Sequence, residues 1–89
     1  MRARRAVVRG IVQGVGFRFF AERAARGLGL RGWVRNRPDG SVETVAEGED
    51  AAVMEYMSWL ERGPATARVD EVAVDDVAPE GFTTFEVRR

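Results

Sequence analysis

The residues best suited to chemistry in this chain form one run, Gln13-Gly14-Val15-Gly16-Phe17-Arg18. Its two glycines can take positive φ and keep side chains out of a concavity, so that successive backbone N–H groups point inward. At the start of a helix such a nest attracts an anion, and an arginine in the first helical turn adds a planar fork suited to phosphate oxygens. Gly-x-Gly also describes a plain strand-to-helix turn, and the arginine also reads as an exposed helix start. Asn36 is the other candidate. Alone it is an ordinary turn residue, and its interest comes from where the fold would carry it.

The missing residue types narrow the chemistry further. The 89 residues include 14 arginines, 14 acids and no Lys, Cys or His, for a formal net charge of zero. Disulfides, zinc clusters, thiol nucleophiles, Ser-His relays, Schiff-base lysines and the P-loop lysine are therefore excluded. Catalysis would have to use Arg, Asn, Gln, hydroxyls, carboxylates, backbone amides or water. The total charge gives no pull toward nucleic acid, but residues 1–37 carry ten arginines and one acid, Glu22, against four arginines and thirteen acids beyond. Two readings stand: faces that complement each other once folded, or a dedicated anion-attracting surface.

Absence of cysteine fits a reducing cytoplasm. No apolar run approaches the ~18–20 residues of a spanning helix, and Arg9 and Gly10 interrupt what would be a signal-peptide core after Arg2, Arg4 and Arg5. The expectation is a cytoplasmic protein, with no membrane partner, forming a single domain over 1–89. At this size folding removes only ~60–65% of the extended chain's surface from water, so the core must be small.

The elements that would position these residues follow from periodicity. Residues 4–12 alternate as a first strand, Ala6, Val8, Gly10 and Val12 on one face and Val7, Arg9 and Ile11 on the other. Phe20, Ala21, Ala24, Ala25 and Leu28 predict a helix over 17–28, stopped by Gly27 and Gly29. Residues 30–36 and 41–47 flank Pro38-Asp39-Gly40 and read as a hairpin. Val53, Tyr56, Met57 and Leu60 predict a second helix over 50–62; a long strand follows through Val69–Val77 and a short one over 84–87.

The order β-α-β-β-α-β plus a short terminal strand predicts an α+β ferredoxin-like sandwich, an antiparallel sheet with two helices on one face. Its first and second strands run parallel with the third between them, so their C-terminal ends lie about 10 Å apart at ~4.8 Å per strand. Asn36 then sits near the 13–18 loop.

With these residues on the page, the sequence resembles the acylphosphatases. The run Gly10-Ile11-Val12-Gln13-Gly14-Val15-Gly16-Phe17-Arg18 is similar to that family's signature, and Gly32-Trp33-Val34-Arg35-Asn36 followed by Asp39-Gly40-Ser41-Val42 resembles its second block. Similarity continues through Glu47-Gly48 to Gly81-Phe82-Thr83-Thr84-Phe85, covering nearly all of the chain. The resemblance implies hydrolysis of acyl phosphates to carboxylate and inorganic phosphate. By position it implies that the amides of Gln13, Gly14, Val15, Gly16 and Phe17, with the Arg18 guanidinium, hold the phosphoryl group while Asn36 orients the attacking water. It also implies no metal and no cofactor. Departures are modest: Ile11 stands where a basic residue is frequent, and Arg89 where relatives often end in an aromatic.

That function suits a chain without histidine. A carboxylate leaving group has a conjugate acid of pKa near ~4 and needs no proton at neutral pH. What remains is charge stabilisation and a water aimed in line. The expected partners are an acyl phosphate and inorganic phosphate, with no nucleic acid and a monomeric chain. Three alternatives compete. A non-catalytic phosphate sensor would share the nest without turnover. A carbamoyl-phosphate-directed module like that of hydrogenase-maturation carbamoyltransferases commonly has proline near the motif arginine, where this chain reads Arg18-Phe19-Phe20. An RNA-binding domain of the same topology would need aromatics on its central strands, which 5–12 and 42–47 lack.

Other conspicuous residues read as structural. Phe20, Leu28, Tyr56, Met57, Leu60 and Phe85 are expected in the core and Trp33 as a half-buried indole on the open face. Asp75 and Asp76, adjacent on a strand, would point to opposite faces as surface charges.

Overall fold

Alternating β-branched residues make β1, Arg2–Ile11, and in the computed structural model, which describes all 89 residues, six elements follow it: α1 (Phe17–Gly27), β2 (Arg31–Asn36), β3 (Val42–Gly48), α2 (Asp50–Arg62), β4 (Arg68–Val77) and β5 (Phe85–Arg88). The sheet order is β4-β1-β3-β2-β5. Both β1 and β2 lie antiparallel to β3, so they run parallel to each other as expected.

One expectation is corrected: the sheet is mixed, because β5 pairs parallel to β2, from Gly32 opposite Phe85 to Arg35 opposite Arg88. β4 ends at Val77, beside Ala3 at the start of β1. The chain then crosses that end of the sheet before it joins β2, and so enters β5 in the direction of β2. Glu47 fastens the crossing. Its fully buried carboxylate accepts the N–H of Glu80 at 2.8 Å and that of Phe82. β5 thus carries Arg88 toward the end of the sheet where Asn36 lies.

Both helices cover one face. Ala6, Val8, Val12, Val34, Val42, Ala46 and Phe85 meet Phe17, Ala21 and Ala25 of α1 and Val53, Tyr56 and Leu60 of α2. Phe20 and Leu28, expected in the core, are only partly buried. The helix begins at Phe17, so its buried stripe is Phe17-Ala21-Ala25, and Phe20 instead meets Trp59 edge-on at 6.1 Å. Full burial of the Phe17 ring contributes about 1.5–3 kcal/mol. Tyr56 is completely buried, with its hydroxyl 2.8 Å from that of Thr44. Thr44 donates to the Trp33 carbonyl, so Tyr56 is the donor to Thr44. Burial raises the phenol's pKa, only partly offset by that hydrogen bond, and it stays neutral.

The two oppositely charged halves of the sequence meet on the sheet. Arg2, Arg4, Arg5, Arg9, Arg35 and Arg37 all pair with acids from beyond residue 38. Asp75 and Asp76 are surface charges on opposite faces, paired to Arg5 and Arg4. Glu43, its side chain only 7% exposed, sits between Arg5 and Arg35. Trp33 is half-buried on the open face, with the Arg35 and Arg88 guanidiniums 5.4 and 5.0 Å from its ring centre.

Candidate active site

The loop between β1 and α1 has the backbone its glycines allow. Gly14 and Gly16 take φ of 73° and 79°. A Cβ at either would meet no atom within 4 Å, so the sign of φ, not crowding, is what calls for glycine here. No carbonyl or side chain accepts a hydrogen bond from the amides of Gly14, Val15 or Gly16. Gly16 caps α1 with no side-chain bond, and the first turn holds no acid. Unsatisfied N–H groups therefore gather at the positive end of a helix, where an oxyanion is the natural acceptor.

Two side chains hold the loop in this form. The Gln13 carboxamide donates to the carbonyls of Arg37 at 2.8 Å and Ser41 at 2.9 Å, and the Thr66 hydroxyl donates to the Val15 carbonyl at 2.7 Å. The receiving turn is itself braced by Asp39, whose carboxylate accepts the Ser41 hydroxyl at 2.6 Å and amide at 3.0 Å. These bonds from Ser41 hold the Asp39 carboxyl well below the usual range. Sequence reasoning read Gln13 only through its amide and missed Thr66. Asp39 two residues before Ser41 is a local signal that could have been read, but the Thr66 contact spans 51 positions and exists only after folding.

Gly14, Gly16, Phe17, Arg18 and Asn36 line one cleft of about 530 Å³, bounded on the other side by Glu86, Val87 and Arg89 of the last strand and its end. The Arg18 guanidinium donates to the Arg88 carbonyl at 3.2 Å and pairs with no carboxylate. Most arginines of the first half are neutralised by acids; this one keeps its charge for the cleft. Glu22, also lining it, is matched by Arg26 at 3.2 Å. Asn36 Oδ1 is buried without any partner in the protein. An orphaned acceptor costs about 1–3 kcal/mol unless something donates to it, and Asn36 is a lining residue of the cleft, where a bound molecule can supply that donor. Ile11, by contrast, points away and is 53% exposed.

A ferredoxin-like α+β sandwich whose first strand-to-helix loop offers bare amides, an unpaired arginine and an acceptor without a donor defines an oxyanion-binding protein. The Acylphosphatase family pattern matches residues 4–87. The chain is 55% identical to an acylphosphatase of Moorella thermoacetica over 92% of this chain and 88% of that one. The crystal structure of acylphosphatase from Bacillus subtilis superposes with a TM-score of 0.97 at 37% identity, covering 100% of both chains. Full-length HypF in its phosphate- and nucleotide-bound form is similar at 27% identity and a TM-score of 0.88, but this chain covers 12% of it. The chain belongs to the acylphosphatase family: it is a hydrolase whose substrate is an acyl phosphate and whose product is inorganic phosphate.

Proposed function

We propose that the 13–18 loop and Arg18 hold the phosphoryl group, and that Asn36 holds the water that attacks it. The amides of Gln13, Gly14, Val15, Gly16 and Phe17 and the Arg18 fork spread the negative charge of the phosphoryl oxygens. Asn36 Oδ1 accepts one hydrogen of a water and so turns its lone pair toward phosphorus. The water oxygen bonds to phosphorus as the bond to the acyl oxygen breaks, and the carboxylate leaves with that electron pair. The water's proton passes to a phosphoryl oxygen, giving inorganic phosphate. Neither a general acid nor a metal is required, because a carboxylate departs unprotonated near pH 7. Positioning and fixed dipoles supply the rate.

The observation that carries this reading is the convergence of unsatisfied loop amides, the unpaired Arg18 and the orphaned Asn36 oxygen in one cleft. Residues 1–89 then act as one domain, a monomer in the cytoplasm. The charged edge strand β4, with Asp70, Glu71, Asp75 and Asp76, discourages pairing between copies. Nucleic acid is not a partner, since the central strands β1 and β3 carry no aromatic side chain on which a base could stack. The test is hydrolysis of acetyl phosphate and of a phenyl phosphate monoester in EDTA. Turnover of the first without the second is expected; dependence on added metal contradicts the electrostatics described, and phosphate binding without turnover makes the protein a sensor.

A further inference from the structure

Two concavities lie on the two flanks of α1. Arg18, Glu22 and Arg26 recur every fourth residue and line the phosphate cleft on the flank toward β5. Phe20, Ala24 and Leu28 recur on the flank toward α2, where Trp59 and Pro64 close a groove of about 880 Å³. The two share Gly16 and Phe19. Phe19 is 69% exposed, a large apolar ring that no packing requirement places on the surface. Phe20 and Trp59 stand edge-to-face in the groove, while the Arg62 guanidinium lies 5.2 Å from the Trp59 ring centre.

We infer that this interhelical groove receives the acyl part of the substrate, and that it favours acyl phosphates whose carboxylic part carries an apolar chain or ring. The inference rests on the reading of the cradle given above. In-line displacement puts the leaving oxygen opposite the attacking water across phosphorus. Asn36 stands on the β2 and β5 flank of α1, so the leaving group departs toward the other flank. Its path runs over Gly16, which offers no side chain to block it. Phe19 stands at the threshold, and beyond it the groove presents the rings of Phe20 and Trp59 and the aliphatic carbon of Ala24 and Leu28, with Arg23 and Glu55 as its charged lining residues. An acetyl group offers this surface a single methyl, whereas a hexanoyl chain offers it five apolar carbons.

The experiment compares hexanoyl and acetyl phosphate, whose leaving carboxylates differ little in basicity, so that any preference reports binding of the chain. The expected kcat/KM preference for hexanoyl phosphate is about tenfold. Phe19→Ser and Trp59→Ala should each reduce that preference to less than about threefold, and Phe19→Leu should restore it. Both positions face solvent, so the core is untouched, and competitive inhibition by inorganic phosphate reads the cradle separately. A wild-type ratio near one, or a ratio unmoved by both variants while phosphate still inhibits, overturns the acyl groove and leaves the cradle standing. Turnover of neither substrate overturns both.

Discussion

The carboxamide of Gln13 donates to the carbonyl of Ser41 at 2.9 Å, which ties the loop of free amides to the turn that follows Asn36. The two halves of the site come from opposite edges of a three-strand unit, and this bond, with its companion to Arg37, fixes the spacing between them. Gln13→Ala removes both donations, while each carbonyl keeps its backbone bond within the turn, Ser41 from the Arg37 N–H at 2.8 Å and Arg37 from the Gly40 N–H at 3.1 Å. The expected outcome is a fall in kcat of about tenfold to a hundredfold with the fold intact, read by steady-state kinetics beside circular dichroism. Unchanged kcat shows that the loop holds its shape alone.

Arg18 meets only a main-chain carbonyl, so its charge is uncompensated in the cleft. Arg18→Gln removes contacts made to the phosphoryl group both before and during bond breaking. KM should rise and kcat fall, with kcat/KM down by at least about a hundredfold. Thermal stabilisation by added phosphate should weaken in parallel, since that effect follows occupancy.

Asn36 makes a different prediction because its free atom is an acceptor, not a donor to phosphate. Asn36→Ala should lower kcat by about a hundredfold while the inhibition constant of phosphate moves less than about threefold. Collapse of phosphate affinity with kcat preserved reverses the division of labour.

How far the sequence disclosed this arrangement depended on the range of the cause. Helix stripes, the Asp39-Gly40 turn and positive φ at Gly14 and Gly16 are local, and each was legible. In α1 the expected Ala21 and Ala25 are buried, but Phe17 takes the core place expected for Phe20, since both fit a helical period and only packing against the sheet decides between them. The parallel pairing of β5 was hidden for a similar reason. It depends on Glu47 catching the backbone of Glu80 and Phe82, contacts across 33 and 35 positions. Asn36 was placed correctly because strand order alone fixes which strand ends adjoin.

Acid should weaken the fold through Glu43. Burial pushes its carboxyl up, but hydrogen bonds and charge from Arg5 and Arg35 outweigh this, and the pKa lies below the ordinary 4.5. A carboxylate held below its unfolded value gives stability that is complete above about pH 4.5 and lost as pH falls through the folded value. Urea midpoints between pH 7 and 3 should therefore drop on the acid side. Glu43→Gln should be less stable at pH 7 by about 1–3 kcal/mol and show a shallower acid decline. Equal acid slopes in the two proteins remove Glu43 from the explanation.

The cradle itself is tested most directly by following the backbone amides during a phosphate titration with nitrogen-15 NMR. The expected result is saturable movement of the Gly14, Val15, Gly16 and Phe17 amides and of the Arg18 side-chain N–H, all with one dissociation constant that matches the kinetic inhibition constant. Saturation elsewhere on the surface, with those five signals still, contradicts the central claim.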